Sequence, residues 1–111
     1  MIVLAKHTDA KTLTEIALVS KAYWGYSEKL IESWEKDLTV SKIMISECQI
    51  YTFRYDDNIV GFYVLNPQQQ KTIELEMLFV LPEFIGKGIG KELLNHSFHK
   101  ARELNVSFMT L

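Results

Sequence analysis

The sequence holds a single cysteine, Cys48, so no disulfide can form within the chain and a reducing compartment suits it. It lacks any apolar run near the roughly 18 residues of a membrane span. Its start offers only Ile2-Val3-Leu4-Ala5 between Met1 and Lys6, too short for the apolar region of a signal peptide. No charge of one sign dominates: 12 Lys and Arg against 14 Asp and Glu leave a net charge of -2. That balance argues against a dedicated nucleic-acid binder, whose affinity rests on neutralising phosphates, but it leaves room for a local basic site for a small anion. Repeats, low-complexity stretches and linkers are lacking too. What remains, 48% hydrophobic and 23% charged residues over 111 positions, is an ordinary globular composition sized for one domain, residues 1–111, with a modest core. A cytoplasmic protein with neither membrane nor nucleic acid as partner is the expectation.

Ile2 to His7 reads as a short strand. Thr8 or Asp9 can cap a helix over Ala10 to Ala22, in which Leu13, Ile16, Ala17 and Ser20 fall at helical spacing. Tyr23-Trp24-Gly25-Tyr26-Ser27 interrupts it, and Ser27 can cap a second helix, Glu28 to Leu38, with Leu30, Ile31, Trp34 and Leu38 on its apolar face. Thr39 to Glu47 reads as loop with some extended character. Two runs rich in β-branched and aromatic residues, Gln49 to Tyr55 and Ile59 to Leu65, flank Asp56-Asp57-Asn58, which is turn chemistry for a β-hairpin. Asn66-Pro67 closes the second strand, because proline cannot donate to a ladder. Thr72 to Val80 forms a further strand with Glu74 and Glu76 on one face. A helix over Gly88 to Leu104 and a strand over Val106 to Leu111 complete an α/β (α+β) chain in the order β-α-α-β-β-β-α-β.

Between the Thr72–Val80 strand and the long helix lies Leu81-Pro82-Glu83-Phe84-Ile85-Gly86-Lys87-Gly88-Ile89-Gly90. A strand, a glycine-rich turn and a helix N-terminus together make an anion site: the first helical amides have no intrahelical partner, and the dipole places partial positive charge there. Lys87 and Lys91 add charge at the same end. A Walker loop would require a glycine where Lys91 stands, with no Ser or Thr following. The dinucleotide fingerprint G-x-G-x-x-G would require glycine at Lys91 or at Leu93. Both loops are excluded. Three alternating glycines with two flanking lysines nevertheless exceed what a tight connection needs.

Val80-Leu81-Pro82 followed by Gly86-Lys87-Gly88-Ile89-Gly90, with Leu93-Leu94 on the next helix, resembles the coenzyme-A-binding motif of the GNAT superfamily of acetyl-CoA-dependent N-acetyltransferases. The family pattern Gln/Arg-x-x-Gly-x-Gly/Ala is filled by Ile85 to Gly90, with isoleucine at the Gln/Arg position. The element order is similar as well, so the resemblance covers essentially the whole chain. It implies a mixed, mainly antiparallel sheet whose fourth and fifth strands are parallel, joined by the long helix as a right-handed crossover.

The resemblance also implies a function: transfer of an acetyl group from acetyl-CoA to a primary amine of a small molecule or peptide. The pyrophosphate would rest on Ile85, Gly86, Lys87, Gly88, Ile89, Gly90 and Lys91. Backbone groups of Leu78, Phe79 and Val80 would hold the pantetheine and stabilise the oxyanion. Glu74, at a position where some family members carry the general base, and Glu76 beside it are the candidate catalytic carboxylates; either could instead decorate a solvated strand face. Tyr23, Trp24 and Tyr26 lie where the family's first two helices meet and shape the acceptor pocket; aromatics there suit an apolar or cationic acceptor or serve as packing. Glu92, His96 and His99 have a spacing a metal could use, but a solvated helix face explains them more simply, and no metal is expected. Cys48 reads as a small apolar residue.

Most relatives add a helix and two strands after the fifth strand, which carry part of the coenzyme contact and a tyrosine proposed to protonate the leaving thiolate. The chain is therefore C-terminally truncated relative to the family: a fragment, a natural truncation, or a fold completed by homodimerisation through an open strand edge. A coenzyme-A-binding module with little or no catalysis is the alternative function.

Overall fold

Asp56 and Asp57 both adopt positive φ, 54° and 65°, which gives the two-residue connection whose twist matches that of the flanking strands. The computed structural model describes residues 1–68 and 71–110. The connection joins β2 (Gln49–Tyr55) to β3 (Asn58–Pro67), paired antiparallel from Tyr55↔Asn58 to Gln49↔Leu65. β1 (Ile2–Leu4) adds on the far side of β2, and β4 (Thr72–Val80) pairs antiparallel with β3. β5 (Phe108–Thr110) runs parallel to β4, so the sheet order is β1-β2-β3-β4-β5.

The central strand explains its own sequence. Ile59 to Leu65 is buried throughout, because helices cover both sheet faces, and the run reads as nearly continuous apolar residues. On one face Phe62 and Val64 meet Leu13, Ile16 and Ala17 of α1 (Ala10–Tyr23) and Leu38 of α2 (Glu28–Leu38). On the other, Tyr63 and Leu65 meet Ile89, Leu93 and Ala101 of α4 (Ile89–Glu103). The result is a three-layer α/β arrangement. Among the described residues no helix is long and apolar enough to cross a membrane.

The expected fold class stands, with local corrections. Lys42–Glu47, expected as loop, is a short helix α3, capped by Ser41 Oγ, which accepts from the Met44 amide at 3.1 Å. Six residues are too few to display a helical period, which is why the pattern misses it. β1 stops at Leu4, and His7–Asp9 form a 3-10 turn instead of extending it. Asp9 does not cap α1 through its side chain; its carboxylate accepts from the Lys6 amide at 2.8 Å and pairs with Arg54 at 2.9 Å. Ser27 does cap α2, accepting from the Leu30 amide.

α4 ends in a Schellman motif. Asn105 takes φ 58°, its amide donates to the Arg102 carbonyl, and the Val106 amide donates to that of Ala101. This end places β5 two residues later than the sequence suggests, at Phe108; the final residue of that expected strand, Leu111, lies outside the described residues.

Candidate functional site

β4 is bulged. Val64 pairs with Met77 but Leu65 pairs with Leu75, so Glu76 is an extra residue on β4. The insertion changes which side chains turn where. Met77 and Phe79 face the α1 side of the sheet, while Leu75, Leu78 and Val80 face α4. β5 pairs only with Thr72, Ile73 and Glu74, so beyond them the outer edge of β4 has no strand beside it among the described residues.

At the end of β4 the chain makes a 3-10 turn, Pro82–Phe84, then the glycine loop. Gly86 and Gly88 adopt φ of +88° and +81°, conformations that strain any residue with a Cβ. Glu92 is the first α4 residue whose amide finds a carbonyl, that of Gly88 at 3.0 Å. The amides from Gly86 to Lys91 have no carbonyl partner among the described residues. Amides without partners at a helix N-terminus are suited to a phosphate group.

Loop and strand edge enclose a cleft of about 370 Å3, lined by Leu78, Phe79 and Val80, by Phe84, Ile85, Gly86, Gly88, Ile89, Gly90 and Lys91, and by Ser20 and Trp24 of the opposite layer. The structure thus brings together nine of the ten residues expected to hold the cofactor. Lys87 is exposed and does not line the cleft. Ser20 joins the cleft as a tether: buried, it donates from Oγ to the Val80 carbonyl at 3.1 Å and fixes α1 against the end of β4. Helical spacing marks Ser20 as inward-facing, yet its partner 60 residues away leaves no trace in the sequence.

The three aromatics expected to face the acceptor divide. Trp24 lines the cleft, 65% exposed, with Tyr23 edge-on to it at 5.2 Å but outside the lining. Tyr26 packs on Trp34 of α2 instead, at 5.0 Å. A second cavity, about 320 Å3, lies there between Lys21, Trp34, Asp37, Leu38, Glu76, Met77 and Phe79. Phe79 lines both hollows and separates them. Glu74 and Glu76 line a third, adjoining cavity with Asp37, so they do share a side of β4. Neither lines the loop cleft; Glu76 shares a cavity with Phe79, and Glu74 lies further along the strand. Glu76 accepts from Asn66 Nδ2 at 2.7 Å.

His96 does not lie on a solvated helix face. Its Nδ1 is 2.7 Å from the Tyr63 hydroxyl, and its ring packs 4.8 Å from Tyr51, because α4 lays this turn against β2 and β3. Burial, then Lys100, lowers the His96 pKa, and burial drives the Tyr63 phenol well above its ordinary range. Among the described residues no cluster of three His, Cys, Asp or Glu could hold a metal. Cys48 is buried; desolvation first, then Glu76 and Glu47, pushes its thiol up.

Comparison with known proteins supplies the context. The family model for the GNAT acetyltransferases matches residues 14–111. The PaiA N-acetyltransferase of Thermoplasma acidophilum, solved with coenzyme A, superposes with a TM-score of 0.84 at 26% identity, over 96% of this chain and 74% of that one. A GNAT acetyltransferase of Elizabethkingia anophelis with acetyl-CoA bound shares 26% identity over 80% of this chain and 49% of its own, with a TM-score of 0.55. A GNAT-family protein of Staphylococcus aureus, 17% identical, shares the fold over 99% of this chain and 98% of its own, at a TM-score of 0.68. Among curated protein sequences, none matches.

Proposed function

The chain belongs to the GNAT acetyltransferase family, and from that premise we propose that it transfers an acetyl group from acetyl-CoA to a primary amine of a small molecule or peptide. The observation that carries this reading is the run of backbone amides from Gly86 to Lys91 at the start of α4, without carbonyl partners among the described residues and beside a stretch of β4 that no described strand covers. Those amides fit a pyrophosphate, with Lys91 adding charge from the cleft wall and Lys87 from the outer rim. The stretch Leu78 to Val80, beside which no described strand lies, fits the amide-bearing pantetheine arm as one more strand would.

When bound, acetyl-CoA supplies an activated thioester: a C–N bond to the amine forms, the C–S bond breaks, one amine proton is released and another ends on the thiol. The chain contributes position and charge. An amide of β4 near Phe79 is the group we assign to bind the developing oxyanion. Glu76, across Phe79 from the cleft, is the carboxylate we assign to accept the amine proton, directly or through water. Glu74 lies one step further from the cleft and takes the smaller role. Trp24 walls the loop cleft, and Tyr26 acts through Trp34 in the acceptor cavity.

Release of free coenzyme A thiol, followed with a panel of small and peptide primary amines, tests the reading. Release that rises with added amine is expected. Release that ignores the amine throughout the panel overturns it.

A further inference from the structure

Ser20 does more than tie α1 to β4. A carbonyl oxygen only accepts, so the 3.1 Å contact with the Val80 carbonyl commits the single hydroxyl hydrogen of Ser20. The lone pairs of Oγ remain, and among the described residues no donor reaches them. Ser20 is nevertheless buried, and it lines the cleft. The α1 wall of the cleft therefore holds an oxygen that can accept and cannot donate. Trp24, one helical turn on, lines the cleft as well.

The strand pairing shows what stands next to that oxygen. The Leu81 amide donates to the Val60 carbonyl at 2.8 Å. Peptide groups alternate in direction along an antiparallel ladder. Val80, opposite Gly61, therefore turns its own amide and carbonyl away from β3, toward the edge that no described strand covers. Its carbonyl is the one that Ser20 meets, and its amide faces the same edge. The end of β4 thus presents one donor, the Val80 amide, beside one acceptor, the Ser20 oxygen. A secondary amide carries the complementary pair: a carbonyl that accepts and an N–H that donates.

We infer that Ser20 is a binding residue for the pantetheine arm: its Oγ accepts one amide N–H of the arm, while the carbonyl of that same amide accepts from the Val80 amide. In plain strand addition the Val80 carbonyl would take the N–H directly. Here the hydroxyl stands on that carbonyl and passes the contact on, which seats the arm against α1 as well as β4. The order of donors is fixed, ligand N–H to Ser20 and Ser20 O–H to Val80, and bonds in such a chain polarise one another. This assignment rests on the coenzyme reading above and adds to it a side chain from the opposite layer.

The test is a double-mutant cycle run between protein and ligand. Acetyl-CoA and two analogues, each with one pantetheine amide N–H replaced by an ester oxygen, are titrated by calorimetry into the native chain and into Ser20→Ala. For one analogue the Kd on the native chain should exceed that of acetyl-CoA by roughly three- to tenfold, the range of one neutral hydrogen bond. On Ser20→Ala that ratio should fall close to one. A role confined to holding α1 would weaken all three ligands alike and leave the ratio as it was. If the alanine variant does not fold, Ser20→Cys carries the same comparison, since it keeps the volume but replaces the oxygen with a weak acceptor. A ratio unchanged in the variant, or no ratio above one with either analogue on the native chain, overturns the Ser20 contact. Acetyl-CoA binding by the native chain then leaves the coenzyme reading standing. A folded native chain that binds none of the three overturns both.

Discussion

The phenol of Tyr63 lies 2.7 Å from Nδ1 of His96, joining the centre of the sheet to the middle of α4. Tyr63 is fully buried and His96 half-buried, so the pair is a polar contact set within an apolar layer. In the tautomer protonated at Nε2 the neutral ring accepts from the hydroxyl, and protonation of Nδ1 ends that acceptance. Lys100 and His99 add unfavourable charge for the imidazolium, while Glu103 offsets part of it.

The first prediction concerns pH. The folded-state pKa of His96 is depressed below its unfolded value near 6.5, so the unfolded chain binds more protons as the pH falls. The stability held by neutral His96 is thus complete above that value and is lost as the pH drops from about 6.5 toward the lower folded-state pKa. Unfolding midpoints should decline over this window, and less steeply in His96→Gln, which does not titrate there. Equal slopes would remove His96 as the cause.

Tyr63→Phe should lower stability at neutral pH by about 1 kcal/mol, since one hydrogen bond is lost and a sheltered ring nitrogen is left without its partner. For a domain of this size that is a fall of several degrees in the midpoint. An unchanged midpoint would mean that water replaces the phenol at no cost.

Gly61 faces a different constraint. A Cβ there would stand 2.9 Å from the Phe79 carbonyl oxygen and 3.2 Å from Leu93 Cδ1. The carbonyl cannot yield without shifting β4 beside the cleft. Gly61→Ala should cost roughly 1–3 kcal/mol, as overpacked sites do, and weaken acetyl-CoA binding beyond what the lost stability explains. Chemical denaturation together with calorimetry of acetyl-CoA binding would check both.

The two glutamates should separate kinetically. Glu76→Gln should reduce kcat by about 100-fold or more, in the range of a lost general base. Glu74→Gln should act mainly on KM for the acceptor. Comparing kcat and KM of the two variants at saturating acetyl-CoA decides it; the reverse pattern would make Glu74 the base.

Parts of the molecule were legible because their chemistry is local. Asp56-Asp57-Asn58 announces its turn, and the glycines at 86 and 88 stand where positive φ is needed, so hairpin and loop could be placed from residue types alone. The bulge at Glu76 could not. Alternation through Thr72 to Val80 looks unbroken, and only the pairing with β3 reveals the extra residue that turns Phe79 instead of Val80 toward α1. The same holds for the second cavity beside Phe79, which needs α1, α2 and β4 together, and for Tyr63 with His96. Those partners are 33 positions apart, and the histidine pattern on α4 suggested solvent where the fold supplied a phenol.

Thermal unfolding with and without millimolar acetyl-CoA, on the native chain and on Gly88→Trp, tests the central claim most directly. Binding to the folded state alone must raise the midpoint by mass action. The native chain should show that rise. The variant, with a bulky side chain forced onto a left-handed backbone position at the cleft, should lose it, whatever its starting midpoint. No rise in the folded native chain, or an equal rise in the variant, would contradict the placement of the coenzyme on the glycine loop.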